Sequence, residues 1–476
     1  MHRPQTMAEA EAAFHDLVVY EFFAMTLWGQ LARKRSQAGI AHDAPPVLAD
    51  RLVAQLPYQL TGAQTRAIEK ITADMQLPTQ MHRLLQGDVG SGKTVVAFYA
   101  MLVAVSTGHQ AALMAPTEVL ARQHYANACE TFRGLGVRVA LLTGQTKKSE
   151  RDQLLEGLVS GEIDCLIGTH ALLEPPVVFR SLSLVVIDEQ HRFGVRQREA
   201  LERKGKHPDL LVTTATPIPR SLALTIYGDL SLTVIDEMPK NRQKIQTMWI
   251  NSPRLADMYG FVRKELAAGR QAFIVCPLVE ESEKIDLENA VSLKEQLETR
   301  EFADYHVGLL HGRMRADEKE AVMQDFRDRA IDLLVSTTVI EVGVDVPNAT
   351  IMVIMNAERF GLAQLHQLRG RVGRGSDKGY CILVSDAKSE ESQARMKLMA
   401  TSSNGFDIAE EDLRQRGPGE LLGLRQHGQG LFHLARPGFH QSELALAEEM
   451  AAACAESALS AGAQEMVDDI QRKIIP

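Results

Sequence analysis

At 476 residues, with 45% hydrophobic and 24% charged residues, the chain is too long for one core and suits two or three domains that each bury enough apolar mass. A net charge of -9 at pH 7 excludes a uniformly basic nucleic-acid coat, so any contact with nucleic acid must be a local groove. Five scattered cysteines without a C-x-x-C predict buried thiols in a reducing, cytoplasmic compartment; the greasiest segment, Phe14 to Leu31, is broken by His15, Asp16 and Glu21, which predicts no membrane span.

Up to about Ser36, apolar Phe14, Leu17, Val18, Phe22, Met25 and Trp28 recur at helical spacing and predict one long packing helix. Residues 37–57, with Gly39, Pro45 and Pro46, read as a linker. Next comes the strand-like pair Leu84-Leu85, then Gly87-Asp88-Val89-Gly90-Ser91-Gly92-Lys93-Thr94, then a helix-like run to Val105. That pattern is a phosphate-binding loop: Gly87, Gly90, Ser91 and Gly92 let backbone N–H groups close round phosphate oxygens, Lys93 reaches the β/γ-phosphates, and the Thr94 hydroxyl serves Mg²⁺. ATP and Mg²⁺ are therefore the expected ligands.

Apolar runs then alternate with helical stretches: Ala111 to Met114, Val137 to Leu142, Cys165 to Ile167, Leu184 to Ile187 and Leu210 to Thr213. Continuous apolar strands separated by helices predict a parallel sheet covered on both faces. Asp188-Glu189-Gln190-His191 follows the fourth run, at the carboxyl edge where such sheets bind ligands. By itself an acidic pair after a strand is more often a solvated loop; behind a phosphate loop, it predicts Asp188 on Mg²⁺ and Glu189 orienting the attacking water. Thr214-Ala215-Thr216-Pro217 leaves the fifth run at the same edge. After Pro239 a second series begins: Ala272 to Val275, Val307 to Leu310, Ile331 to Val335, Ile351 to Ile354 and Tyr380 to Val384. Between its last two members lies a cluster of Gln367, Arg369, Gly370, Arg371, Gly373 and Arg374. It could be a solvated basic loop or a phosphodiester contact, but its distance from any other basic run favours a specific job, that of Arg371 and Arg374 as arginine fingers on ATP bound to the first half.

The expected fold is thus α/β, two tandem parallel-sheet domains between an N-terminal linker helix and a helical C-terminal tail. The expected segments are 1–56 (helical linker), 57–238 (ATP-binding half), 239–386 (second half) and 387–476 (tail).

In order and spacing, these motifs resemble the superfamily 2 nucleic-acid helicases and, within them, the RecG-type branched-DNA helicases. The resemblance is carried by Leu60-Thr61-Gly62-Ala63-Gln64, the phosphate loop, Ala115-Pro116-Thr117-Glu118, Gly168-Thr169-His170, the acidic pair, Thr214 to Pro217, Ser336 to Asp345 and the arginine cluster. It implies RecA-like motor domains and an ATP-dependent DNA helicase, in which Gln64 reads the adenine and Pro116, Thr117, Glu118, Gly168, Thr169 and His170 touch the DNA. It further implies that Gly343 and Asp345 join the nucleotide and DNA sites, and that Gln190, His191, Thr214, Thr216 and Gln367 couple hydrolysis to movement. Asp412 to Glu420, running on to Gln426-His427-Gly428, is similar to the translocation motif that RecG shares with the transcription-repair coupling factor, which implies Arg414, Arg416 and Gln426 as DNA contacts. Partners implied are branched or duplex DNA and a single-stranded-DNA-binding protein, with a nucleoid-associated bacterial monomer as the working form. One departure stands out: Met1-His2-Arg3-Pro4 begins about where the family's wedge domain has ended. The expectation is a fragment of a longer protein or a motor without its branch reader. The alternatives are a duplex translocase of the transcription-repair coupling type, and a remnant whose ATP and DNA binding are uncoupled.

Overall fold

The computed structural model describes residues 6–34, 38–189, 193, 195–214, 230–239, 243–277, 283–337, 346–373, 375, 377–416, 434–436, 439–456 and 460–474. The chain forms two compact units, one of Met1–Glu237 with Ala409–Pro476 and one of Met238–Ile408.

Unit 1 is built on a seven-stranded sheet of β1 (His82–Gly87), β2 (Gln110–Met114), β3 (Val139–Leu142), β4 (Cys165–Gly168), β5 (Leu182–Ile187), β6 (Asp209–Thr214) and β7 (Ser231–Ile235). Their order is β3-β4-β2-β5-β6-β1-β7, with every pairing parallel. Inner strands β2, β4, β5 and β6 are buried along their whole length, which is why each contains an apolar run of three or more residues. Helices α2 (Val47–Gln55), α3 (Gly62–Met75), α4 (Lys93–Ser106), α5 (Glu118–Thr131), α6 (Lys148–Ser160) and α7 (Val195–Glu202) make the crossovers and cover. α4 is buried from Val95 to Ala104, as a helix hydrophobic on all sides must be.

Unit 2 repeats the plan with β8 (Gln246–Ile250), β9 (Gln271–Val275), β10 (Val307–Leu310), β11 (Leu333–Ser336), β12 (Ala349–Ile354) and β13 (Tyr380–Val384), ordered β10-β11-β9-β12-β13-β8 and again parallel throughout. Among its helices are α8 (Leu255–Ala267), α9 (Glu283–Gln296), α10 (Ala316–Arg327), α11 (Leu362–Arg369) and α12 (Glu390–Thr401). This unit reaches past residue 386 because α12 is bonded to it. Arg369, only 5% exposed, donates from Nη1 to the carbonyls of Met399 (3.1 Å) and Ser402 (2.7 Å). Arg395 donates to the Phe360 carbonyl.

α13 (Gly405–Arg416) leads back into unit 1, where α14 (Gln441–Ala455) and α15 (Ala461–Ile474) pack on the first helix, α1 (Met7–Lys34). Val18, Val19 and Phe22 meet Ala435, Leu444 and Ala447, while Met25, Leu27 and Trp28 meet Ala451, Val467 and Ile470. The Glu21 carboxylate accepts the backbone N–H groups of Leu434 (3.0 Å) and Ala435 (2.8 Å). Phe14 and Leu17 keep the helical spacing but stay more than two-fifths exposed, so the buried stripe of α1 starts at Val18.

The linker is tied down at the amino edge of the first sheet. Fully buried His42 places Nδ1 2.6 Å from Thr107 Oγ1 and Nε2 3.8 Å from Oδ2 of Asp209, itself 2% exposed. Asp209 Oδ1 accepts the Met81 N–H at 2.6 Å. Burial pushes the Asp209 carboxyl up to about 8, and the nearby Asp74 adds to the rise against the Met81 hydrogen bond. Burial, with His109 beside it, takes His42 down to about 4. Folding thus raises proton affinity at Asp209 and lowers it at His42. Between about pH 4 and 6.5 the two effects oppose; above that only Asp209 acts, the folded state holds the extra proton, and stability falls as pH rises toward about 8. Urea midpoints of the wild type are expected to decline across that upper window by the equivalent of about 1–2 kcal/mol. Asp209→Asn should flatten the decline, and an unchanged slope would reject this origin.

Candidate functional site

Because all strands of unit 1 run the same way, every loop that follows a strand opens at one edge. Gly87 ends β1, Thr214 ends β6 and Asp188 follows β5, so the phosphate loop and the acidic residues emerge from three neighbouring strands. Ala115 follows β2, Gly168 ends β4 and Thr143 follows β3 on the other half of the same edge.

The phosphate loop is braced from α3. Thr61 caps α3 by accepting from Gln64 N, and Gln64 Oε1 accepts from Thr61 N at 2.9 Å, a reciprocal capping box. Gln64 Nε2 donates to the Ser91 carbonyl at 2.8 Å, so this 2% exposed side chain spends both polar ends inside unit 1. Gly92 has φ +85°, and a Cβ there would lie 2.1 Å from Gln64 Nε2, so a side chain is excluded by backbone conformation and by space. Lys93 Nζ donates to the carbonyls of Gly87 (2.7 Å) and Asp88 (3.0 Å), which places an ammonium inside the curve of the loop at the start of α4. Gly90 lies in the turn, Ser91 is fully buried with its Oγ lacking a hydrogen-bond partner among the described residues, and Thr94 is half-buried on the first turn of α4. A helix start with inward N–H groups, a folded-in cation and an idle hydroxyl is an anion cradle.

Asp188 is the best-held carboxylate at this edge. His124, on α5, brings Nε2 within 2.8 Å of Asp188 Oδ2, while the Thr213 hydroxyl donates to Oδ1. Burial acts to raise the Asp188 carboxyl, but the His124 hydrogen bond and charge, the Thr213 hydroxyl and the Lys93 ammonium outweigh it and bring it down to about 2. The group is therefore ionised at neutral pH. Glu189 takes a left-handed φ of +54°, a conformation that costs a non-glycine residue roughly 1 kcal/mol or more and is tolerated where surroundings over-determine it. Among the described residues no group of three or more His, Cys, Asp and Glu side chains forms a metal cage. One ionised carboxylate with a nearby threonine hydroxyl is the donor set that suits Mg²⁺ shared with substrate phosphates rather than a protein-enclosed ion.

Thr214 is 2% exposed and pairs in register with Gln86. Thr117 caps α5 by accepting from Leu120 N at 3.4 Å, with half-buried Pro116 and Glu118 beside it. Gly168 and Thr169 are buried; a Cβ on Gly168 would lie 2.1 Å from the Leu142 carbonyl, and only His170 of this trio is exposed. In unit 2, Gln367 is half-buried on α11 and Arg371, 7% exposed, follows it. Arg414 is exposed on α13, 3.2 Å from Glu411. Gln190, His191, Thr216, Gly343, Asp345, Arg374 and Gln426 lie outside the described residues, as does the side chain of Arg416. Sequence reasoning missed His124 and Thr213. The signal for the first was a polar residue on the stripe Leu120, Ala121, Ala128 that α5 turns to the core; for the second, it was a hydroxyl directly after the buried apolar run Leu210 to Val212.

Residues 61–225 match the DEAD/DEAH box helicase model and residues 254–376 the helicase conserved C-terminal domain. The chain is 50% identical over 438 residues to the ATP-dependent DNA helicase RecG of Bacillus subtilis, covering 91% of this chain and 64% of that protein. It is 50% identical over 455 residues to RecG of Synechocystis sp., covering 95% of this chain and 55% of the relative. It thus spans between about half and two-thirds of the length of these relatives. The solved structure of RecG bound to a three-way DNA junction superposes with a TM-score of 0.80 at 46% identity, over 94% of this chain and 58% of that one. Dbp5 of S. cerevisiae, bound to RNA and ADP BeF3, shares the fold at 18% identity and a TM-score of 0.55. Two RecA-like parallel-sheet units, a matched helicase motif set and near-half identity along almost the whole chain lead to one conclusion: over the length it spans, the chain is similar to the RecG-type ATP-dependent DNA helicases.

Proposed function

We propose that this chain is the motor portion of an ATP-dependent DNA helicase or translocase acting on branched DNA, including replication forks and Holliday junctions, in recombination and repair. The observation that carries the reading is Asp188, an ionised carboxylate fixed by two hydrogen bonds at the sheet edge that also bears the Lys93 loop. In its favour, the RecG protein of similar structure was solved on a three-way DNA junction.

In this reading the loop of Gly87, Gly90, Ser91, Gly92, Lys93 and Thr94 binds the ATP phosphates. Thr94 and Asp188 hold Mg²⁺, which neutralises phosphate charge. Glu189 orients and deprotonates water. Gln64 serves the adenine side through whichever of its amide hydrogens and lone pairs the loop leaves over, and Arg371 and Arg374 stabilise the charge that develops at the γ-phosphate. Gly343 and Asp345 join the nucleotide and DNA sites, and Gln190, His191, Thr214, Thr216 and Gln367 pass the change on. Pro116, Thr117, Glu118, Gly168, Thr169 and His170, with Arg414, Arg416 and Gln426, contact DNA. Since Gly168 and Thr169 are buried, their contact runs through the backbone, leaving His170 as the side chain on offer. The functional segments are 1–56, 57–238, 239–386 and 387–476. The working form is a cytoplasmic, nucleoid-associated monomer, with a single-stranded-DNA-binding protein as a further partner.

Steady-state ATPase assays at one fixed salt concentration test the reading with no DNA and with single-stranded, linear duplex, forked and four-way DNA. Branched DNA is expected to stimulate most; equal stimulation by linear duplex would favour the transcription-repair type of translocase, and none at all an uncoupled remnant. Lys93→Ala should abolish hydrolysis, and surviving DNA-stimulated turnover would reject the phosphate loop. Arg371→Ala should keep ATP affinity while turnover falls by about 10²-fold or more, as for a contact made in the transition state. Equal losses in affinity and turnover would instead make it a ground-state ligand.

A further inference from the structure

α5 runs unbroken from Glu118 to Thr131, and its two ends of interest lie on unlike chemistry. At its start, Thr117 caps the helix beside Pro116 and Glu118, on the β2-β4-β3 half of the sheet edge. About two turns later, roughly 10 Å along the axis, His124 reaches the neighbouring strand's acidic pair. His124 is 8% exposed and sits on the same buried stripe as Leu120, Ala121 and Ala128, where an aliphatic side chain would bury at less cost. Opposite a carboxylate, Nε2 carries a proton and donates; Nδ1 is buried and without a hydrogen-bond partner among the described residues. A core histidine kept for packing satisfaction would have used both nitrogens, whereas this one is committed to a single bond to Asp188.

We propose that His124 is a positioning residue that fixes the Asp188 carboxylate from α5, so that the DNA-facing end of this helix and the metal-facing carboxylate are joined through one rigid element. The inference rests on the functional reading above, in which Asp188 serves Mg²⁺ and 116–118 meets DNA. A movement of the α5 start on DNA is transmitted by the helix as a movement of Nε2 and of the oxygen bonded to it. This path lies wholly inside unit 1.

Three substitutions of the full chain separate this role from packing. His124→Gln puts an amide N–H where Nε2 stood; His124→Asn puts it where Nδ1 stood, short of Asp188; His124→Leu keeps bulk and removes the donor. Two readouts are taken: the Mg²⁺ concentration that half-saturates binding of a fluorescent, non-hydrolysable ATP analogue, and the ratio of ATPase rates with and without duplex DNA. His124→Leu and His124→Asn are expected to raise the Mg²⁺ requirement by about tenfold, as losses of a partner behind a metal ligand do, and to cut the stimulation ratio by a similar factor. His124→Gln should stay within about threefold of wild type in both, a difference that follows donor position. If Asn matches Gln, or Leu matches wild type, in folded proteins of unchanged thermal midpoint, His124 is an ordinary core residue and the proposal fails. Should Lys93→Ala still hydrolyse ATP, it is the assignment of the nucleotide site that has failed, a result independent of how the His124 variants rank.

Discussion

Parallel pairing is the constraint on which the rest of unit 1 depends. A parallel strand cannot be followed directly by its neighbour; each must be followed by a crossover, so all carboxyl ends gather at one edge. The order β3-β4-β2-β5-β6-β1-β7 then decides which loops meet. β6 alone separates β1 from β5, and with strands spaced about 4.8 Å apart, the phosphate loop and Asp188 open roughly 10 Å from one another. The distance in sequence between Lys93 and Asp188 is long; the distance in the sheet is two strands.

Selected buried polar side chains in both units show how hydrogen bonds replace lost water. Burying a carboxylate costs several kcal/mol unless hydrogen bonds replace its water. At Asp188 both oxygens have partners, Gln64 uses its amide at both ends, and in unit 2 Arg369 spreads its guanidinium over two carbonyls at the end of α12. Each of these bonds also fixes a piece of backbone: the phosphate loop through Ser91, the acidic turn through Asp188, and the last turn of α12 through Met399 and Ser402.

What could be read in the sequence followed from locality. The glycine pattern of 87–94 needs only its own backbone to form, and buried inner strands such as Leu184 to Ile187 declare themselves by unbroken apolar character. The edge strands β7 and β8 do not: β7 mixes buried with half-buried positions, β8 is half-buried apart from exposed Gln246, and neither left a continuous buried run to recognise. Nor does a one-dimensional pattern show that Arg369, one of a dense arginine group, holds α12 while Arg371 beside it does not share those bonds. His124 and Thr213 escaped for the same reason. Their meaning lies in a carboxylate 64 and 25 residues away, and only the strand order brings them to it.

The packing of α1 against α14 and α15 has a temporal consequence. On the ribosome the apolar stripe of α1, Val18, Phe22, Met25 and Trp28, emerges long before its partners Leu444, Ala447, Ala451 and Val467, with the whole of unit 2 made in between. At synthesis rates of about 5–20 residues per second, that stripe waits roughly 20–90 s for its cover. During this interval the nascent chain presents an amphipathic helix with an open greasy face, the kind of surface that chaperones hold and that neighbouring nascent chains stick to. Unit 1 is therefore completed only after unit 2 has been made, and a stop in translation between the two leaves that face bare.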